Sequence, residues 1–375
     1  MIEFFSTLFL LAALQGLLLS VFLLTKKQNH SANLVLAIAT LALSFELATV
    51  VYYSRGWYNQ YPHFMGIAYP FPYLYGPLFL LYAGLISKKK ERIRATDLLH
   101  FIPVFAVYCI IAPVFLYSGE EKIIFINNIS NRSLIYHIID FFIPIQGITY
   151  TILTIKTVAD YNRELKNTYS TIDLINLNWL KYLTFGLTIV WSIVVLAYIA
   201  HIFLEHSSWY SLFLNFSLSA LIYSIGYMGL KQPEIFLYPS SLQSEKTAKY
   251  KRSGLSDDNA EGIKRKLIGL MESEKPYLSK DLTLQKLAER LKISSHNLSE
   301  VINTKMHLTY YDFINQYRVE EFKNRLAEPN SEQFNLISIA FDSGFQSKGT
   351  FNTIFKKFTG MTPSEYKIKL YTSSK

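Results

Sequence analysis

Residues 339–366 read IAFDSGFQSKGTFNTIFKKFTGMTPSEY, and the spacing within them sets the reading of the whole chain. Phe351, Ile354, Phe355 and Phe358 stand at i, i+3, i+4 and i+7, which gives a helix with one buried face. Lys348, Asn352, Lys356 and Lys357 then fall largely outside that stripe. Ser347 stands where an N-cap opens the helix, and Gly344 supplies a tight turn behind it. Ile339, Ala340 and Phe345 space an apolar helix before the turn, so the stretch is a helix-turn-helix. Gly360 ends the second helix, and Pro363 is expected to keep it from resuming.

An exposed helix face with Asn and Lys beside a basic end suits readout of a DNA major groove. Asn pairs bidentately with an adenine edge, and Lys bonds guanine or phosphate. The run GFQSKGTFNTIFKKFTGMTPSEY resembles, nearly position for position, the C-terminal signature of the AraC family of bacterial transcription regulators. A plain helical hairpin with solvated lysines is the competing reading. The coincidence of G-F-x-S with the T-G-x-T-P exit weighs against it.

A second motif of the same kind precedes the first. Leu284, Leu287, Ala288 and Leu291 define a supporting helix, residues 292–294 a turn, and Leu298, Val301 and Ile302 the inner face of a reader helix. Ser295, His296, Asn297, Ser299, Glu300 and Asn303 are left for its outer side. A connecting helix over about 310–326 buries Phe313, Ile314, Tyr317, Phe322 and Leu326. Readers starting at Ser295 and Lys348 suit successive major-groove faces if they are held ~34 Å apart. The resemblance extends over residues 263–367, including LTLQKLAERLKIS and YDFINQYRVEEFKNRL. It implies base-facing positions for His296, Ser299 and Glu300 in the first reader and for Lys348, Asn352 and Thr353 in the second, with Thr350 near the phosphates. The chain departs from the pattern at His307, where many relatives carry glycine, so the exit from the first reader is open at this point. Glu300 can accept from cytosine but is repelled by phosphate.

Half of the 375 residues are apolar, and only 17% are charged. A DNA-binding end with ordinary charge density leaves the remainder strongly apolar, and the net charge of +9 suits nucleic acid or anionic lipid. The single cysteine, Cys109, allows neither an intrachain disulfide nor a cysteine-based zinc cluster, and reads as a small core residue. P-loop, HExxH, GxSxG and kinase-type nucleotide motifs are missing from the sequence, so no catalytic residue and no cofactor is expected.

Seven segments are long and apolar enough to span a ~30 Å hydrocarbon core: residues 2–24, 32–53, 64–86, 98–117, 134–155, 180–204 and 209–230. With the amino terminus outside, the inside loops hold Lys26, Lys27, Lys88, Lys89, Lys90, Arg92, Arg94, Lys156, Arg163, Lys166 and Lys181. The outside loops hold only Arg55, Lys122 and Arg132, an eleven-to-three bias. An odd number of spans places the carboxy-terminal part in the cytoplasm. The first segment carries its charge after the apolar run rather than before it, so it reads as a retained span and not a signal peptide. The expected plan is all-α: a seven-helix transmembrane sensor (residues 1–230), a linker (231–258) and an AraC-type domain (259–375) in a multi-pass protein of the bacterial inner membrane.

The third segment crowds Tyr69, Pro70, Phe71, Pro72, Tyr73, Tyr75, Gly76 and Pro77. Its helix must kink, and carbonyls freed by proline need partners. Two readings stay open: a ligand pocket or hinge lined by Tyr69, Tyr73 and Tyr75, or aromatic-belt residues beside a packing kink. Glu46, midway along the second segment, is the foremost sensing or pairing candidate. Asp97, His100, His137 and Asp140 also lie in or near apolar segments. His201, Glu205 and His206 have ligand chemistry, but the i, i+5 spacing puts the histidines on different faces and no metal is expected. The linker carries Pro233, Pro239, Lys246, Lys249, Lys251 and Arg252, and a short amphipathic helix with Ile263, Leu267, Leu270 and Met271 follows. The chain thus reads as a one-component regulator whose partners are double-stranded DNA, the lipid bilayer and a small-molecule or membrane signal. RNA polymerase and a second copy of the chain are compatible further partners. The alternative is a membrane transporter or enzyme with a regulatory DNA-binding tail; paired broken helices, which transport favours, are not evident.

Overall fold

The computed structural model describes residues 2–27, 29–87, 90, 92–127, 134–173, 176–203, 209–231, 255–329 and 334–373. Their regular structure is helical, with no β-strand among the described residues beyond one isolated bridge. The helices are α1 (Ile2–Thr25), α2 (His30–Ser54), α3 (Pro72–Ile86), α4 (Ile102–Phe115), α5 (Gly119–Asn127), α6 (Leu134–Thr168), α7 (Asn178–Phe203) and α8 (Trp209–Lys231). They continue with α9 (Asp257–Glu274), α10 (Leu284–Leu291), α11 (Ser295–Lys305), α12 (Tyr310–Ala327), α13 (Leu336–Asp342), α14 (Lys348–Thr359) and α15 (Pro363–Ser373). Two compact units divide the chain. One comprises Met1–Tyr161 and Leu177–Pro239, the other Asn162–Asn176 and Ser240–Lys375. Lys88, Lys89, Arg132, Glu205, His206 and nearly all of the expected linker, with its prolines and basic residues, lie outside the described residues, as does the side chain of His201.

Among the described residues, five stretches are long and apolar enough to cross a membrane: Glu3–Thr25, His30–Ser54, Ala95–Phe115, Leu134–Thr168 and Asn178–Leu196. Two shorter apolar helices, Pro72–Ile86 and Leu212–Met228, accompany them. Three boundaries differ from the sequence expectation. The third segment is helical only from Pro72: Gly66 adopts φ +82°, and Pro70 and Pro72 remove backbone donors, so residues 65–71 turn instead. The fourth begins as a 3-10 helix, Ala95–Phe101, before continuing as α4. α6 runs to Thr168, thirteen residues past the expected end at Ile155, because its polar continuation KTVADYNRELKNT has no helix breaker.

Proline inside α3 has the expected effect and a specific remedy. Pro77 cannot donate to the carbonyl of Tyr73; Gln146 Nε2 of α6 donates to that oxygen instead, at 3.2 Å. The three tyrosines of this region are not gathered round one pocket. Tyr75 turns to α2 and donates to Glu46 Oε2, whereas Tyr73 donates to the carbonyl of Ile139 at 2.6 Å and Tyr69 to Asp140 Oδ1 at 2.8 Å, both on α6. Glu46 therefore has a tyrosine partner, and the three hydroxyls bond to two different helices, α2 and α6.

In the second unit, α12 is the shared axis. Its N-terminal half packs Tyr310, Phe313 and Ile314 against Leu267, Met271, Leu287, Leu298 and Ile302 of α9, α10 and α11. Its C-terminal half places Phe322 against Phe351 and Phe355 of α14, with ring centroids 4.7 and 5.2 Å apart. α9 is the expected amphipathic helix, capped by Ser256, whose hydroxyl accepts from Asn259 N–H. Pro363 does not prevent a further helix but starts one. Thr362 and Glu365 form a reciprocal cap around it (Thr362 N–H to Glu365 Oε2 2.7 Å, Glu365 N–H to Thr362 Oγ1 3.3 Å), and α15 follows.

Gly344 fixes the turn between α13 and α14. Its φ is +97°, and a Cβ there would lie 2.5 Å from the carbonyl oxygen of Tyr277 and 3.0 Å from Arg318 Nε. Left-handed strain and overpacking together make Gly344→Ala destabilising by about 2–5 kcal/mol. Pulse proteolysis of the full chain in a urea series checks this through an earlier loss of the protected second unit.

Candidate nucleic-acid interface

Both reader helices are launched by the same device. Ser294 caps α11 through a bond from Asn297 N–H (3.1 Å), and Ser347 caps α14 through one from Thr350 N–H (3.1 Å). The turns before them use left-handed residues, Lys292 at φ +56° and Gly344. The first motif is α10–α11 and the second α13–α14. α13 already ends at Asp342, so Phe345 lies in the turn, where it is buried against Phe351 (5.2 Å between centroids) rather than spacing the helix.

Packing the apolar stripes determines what faces outward. Phe351, Ile354 and Phe355 are buried in α14, leaving Lys348, Asn352, Thr353, Lys356 and Lys357 exposed and Thr350 half-buried. Lys348 and Asn352 make no side-chain hydrogen bond or ion pair among the described residues. Thr353 Oγ donates to Gly349 O at 2.9 Å, back within its own helix. Lys357 is exposed but pairs with Asp312 at the start of α12, 2.7 Å away. In α11, Leu298, Val301 and Ile302 are buried, His296 is exposed, and Ser295, Asn297, Ser299, Glu300 and Asn303 are half-buried. Asn303 donates to Ser299 Oγ at 3.2 Å, and His296 lies 3.9 Å from Glu300 across one turn.

The two surfaces differ in charge. α14 presents Lys348, Lys356 and Lys357, whereas the one lysine of α11, Lys305, is matched by Asp257 and by Glu261 at 3.8 Å. Its bond to Asp257 holds the Lys305 ammonium above its ordinary range. The excess of positive charge therefore lies on α14, and α11 presents chiefly hydrogen-bonding groups. Between the two motifs stands α12, whose 18 residues span about 27 Å at the α-helical rise.

His307, the departure from the family pattern, adopts φ +56°, the conformation that a glycine would supply. The exit is thus preserved at a side chain that tolerates it with some strain. Leu308 N–H closes it on the carbonyl of Ile302 at 3.3 Å.

Arg318 escaped the sequence reading, although a signal was present: it stands four residues from both Ile314 and Phe322, in the buried stripe of α12. It is 1% exposed. Its guanidinium donates to the carbonyls of Tyr277 (2.8 Å), Ser279 (3.0 Å) and Ser170 (3.1 Å), to Ser170 Oγ (3.3 Å), Thr171 Oγ (3.2 Å) and Asn315 Oδ1 (3.3 Å). Burial pulls its pKa down to about 10, leaving it a cation at neutral pH.

Comparison with known proteins agrees with this geometry. Residues 287–368 match the model of a helix-turn-helix domain family. The chain is 27% identical over 86 residues to the melibiose operon regulatory protein of Escherichia coli (strain K12), which is 23% of this chain and 28% of that protein. It is 30% identical over 91 residues to an uncharacterized HTH-type transcriptional regulator of Staphylococcus aureus (strain COL), 24% of this chain and 12% of that protein. The matched stretch thus spans less than a third of either relative. No solved structure matches the chain. The carboxy-terminal part of the chain carries an AraC-type helix-turn-helix domain.

On this surface Asn352→Ala is expected to cost roughly 1–3 kcal/mol on the specific site and to relax one position of it. Lys357→Ala is expected to weaken binding to all sequences and to flatten the salt dependence. Anisotropy titrations on specific and random duplexes check both. Equal losses on the two duplexes for both variants would contradict these roles.

Proposed function

We propose that the chain is a membrane-embedded, one-component transcription regulator. Its helix-turn-helix domain binds specific DNA from the cytoplasm, and its apolar helices form a seven-span domain that perceives a signal. The observation that carries this reading is the exposed apolar surface of the first unit beside a DNA-binding domain in the same chain. Only 17% of the apolar window of Ala95–Phe115 and 28% of that of Leu134–Thr168 is buried within the chain. Phe105, Leu98, Phe142 and Ile152 face outward. Leaving such surface in water costs about 25 cal/mol per Å², and a bilayer removes that cost.

The orientation follows from charge. Lys26, Lys27, Lys90, Arg92 and Arg94 in loops, Lys156, Arg163 and Lys166 in the polar end of α6, and Lys181 at the start of α7 cluster on the proposed cytoplasmic side. The second unit contains Asn162–Asn176, the last turns of α6 and most of the connection to α7, and this supports placing that end of α6 where DNA is. A signal acts in this scheme by binding two states of the helices with different affinity, since equal affinity shifts nothing. Glu46, hydrogen-bonded by Tyr75, and Asp140, hydrogen-bonded by Tyr69, are the polar groups offered for that difference. Double-stranded DNA and the bilayer are the partners of this reading, and RNA polymerase and a second copy of the chain fit it.

Fusions test the orientation. Alkaline phosphatase is expected to be active when joined after Trp57 and inactive after Lys90 or at the carboxy terminus, with green fluorescent protein giving the reverse. Activity of the phosphatase at the carboxy terminus would contradict the reading.

A further inference from the structure

A short segment between α6 and α7 belongs to the second unit, although the helices on either side of it are largely counted with the first. It is seated by a continuous series of bonds. Tyr169 forms an antiparallel bridge with Thr283, and Ser170 donates from both its N–H (3.4 Å) and its hydroxyl (2.7 Å) to the carbonyl of Leu282. The Ser170 carbonyl accepts from Arg318 Nη1 and from Asn315 Nδ2 at 3.3 Å, and Thr171 Oγ also accepts from Arg318. Ser170 is 1% exposed, and Tyr169 and Thr171 on either side of it are half-buried. Beyond it, Asp173 Oδ1 accepts from Thr350 Oγ1 in the first turn of α14. The other carboxylate oxygen is buried without a hydrogen-bond partner among the described residues.

The last contact opposes DNA binding. A helix N-terminus draws anions through its unsatisfied N–H groups and its dipole, and DNA-binding helices use such ends for phosphates. Asp173 brings a carboxylate to the start of the more basic reader, beside the threonine that resemblance puts near the phosphates. Two anions within a few ångströms of one another repel, so carboxylate and phosphate exclude each other there.

We propose that Tyr169–Asp173 is an autoinhibitory clamp: seated, its Asp173 holds the place of a DNA phosphate at the N-terminus of α14, and its release frees the domain for DNA. The clamp rests on the DNA-binding reading of the second unit. Tyr169 follows the last residue of α6 directly, and α7 begins at Asn178, so movement of these apolar helices reaches the reader helix through the loop itself, in addition to the connection after α8. The segment is seated through neutral groups, chiefly those of the buried Ser170 on Arg318 and Leu282, and the blocking group is a single carboxylate. Seat and block can therefore be tested separately.

The test uses the full chain in nanodiscs of phosphatidylethanolamine and phosphatidylglycerol, with a short random-sequence duplex titrated between about 50 and 200 mM salt. Asp173→Asn keeps the hydrogen-bond acceptor and removes the charge. It is expected to bind about tenfold more tightly than the parent, as for release of a state that holds nine-tenths of the molecules, with a salt slope steeper by about one. A second variant locks the seat: Tyr169→Cys with Thr283→Cys in a Cys109→Ser background, where the bridged pair suits a disulfide. Oxidised with copper phenanthroline, it is expected to bind at least tenfold more weakly than when reduced, and it decides the matter if Asp173→Asn is not recovered folded. Equal or weaker binding by Asp173→Asn overturns the clamp and leaves the DNA-binding reading standing. Absence of DNA binding by every chain overturns both.

Discussion

The second unit depends on one buried cation. Arg318 lies in the middle of α12, between the half that packs the first helix-turn-helix and the half that packs the second. Burying a guanidinium costs several kcal/mol unless its donors are satisfied, and here they reach three backbone carbonyls, two hydroxyls and a side-chain amide. The acceptors come from the connection between α9 and α10, from α12 itself and from the loop after α6. Gly344, at the turn of the second motif, approaches the same guanidinium so closely that a methyl group would meet it. One side chain thus fixes the relation between two motifs and a distant piece of chain.

Much of the second unit was legible in the sequence because its signals are local. Serine caps at 294 and 347, left-handed turns and apolar stripes of period 3.6 recur within a few residues of one another, so both reader helices could be placed from spacing alone. Where reading and structure part, the cause is a competing local rule or a distant contact. Pro363 reads as a stop only until Thr362 and Glu365 are seen as a cap around it, which makes the proline a helix start. His307 keeps a glycine's backbone conformation, which sequence spacing alone does not reveal. The seat of Ser170 beneath Arg318 joins residues 148 positions apart, and nothing in the local pattern around Ser170 announces it.

The apolar half of the chain was legible at the level of segments and less so in detail. Length and hydropathy located its long apolar helices but not the short α5, and helix ends follow from single residues such as Gly66 and the prolines at 70 and 72. The tyrosine-rich stretch was legible as a crowd of rings, but its partners were not. Its rings divide between α2 and α6, each hydroxyl taking a separate acceptor, because a kinked helix must satisfy its own backbone and its neighbours first. In the account proposed, the helices sense, the second unit reads DNA, and the chain joins them without a phosphotransfer step.

The most direct measurement is genome-wide DNA occupancy of the intact chain in its host, with the same culture fractionated to locate the protein. The account predicts discrete peaks sharing one sequence motif, from protein recovered in the membrane fraction. Recovery of the protein in the membrane without any peak, or of peaks only from protein in the soluble fraction, would contradict it.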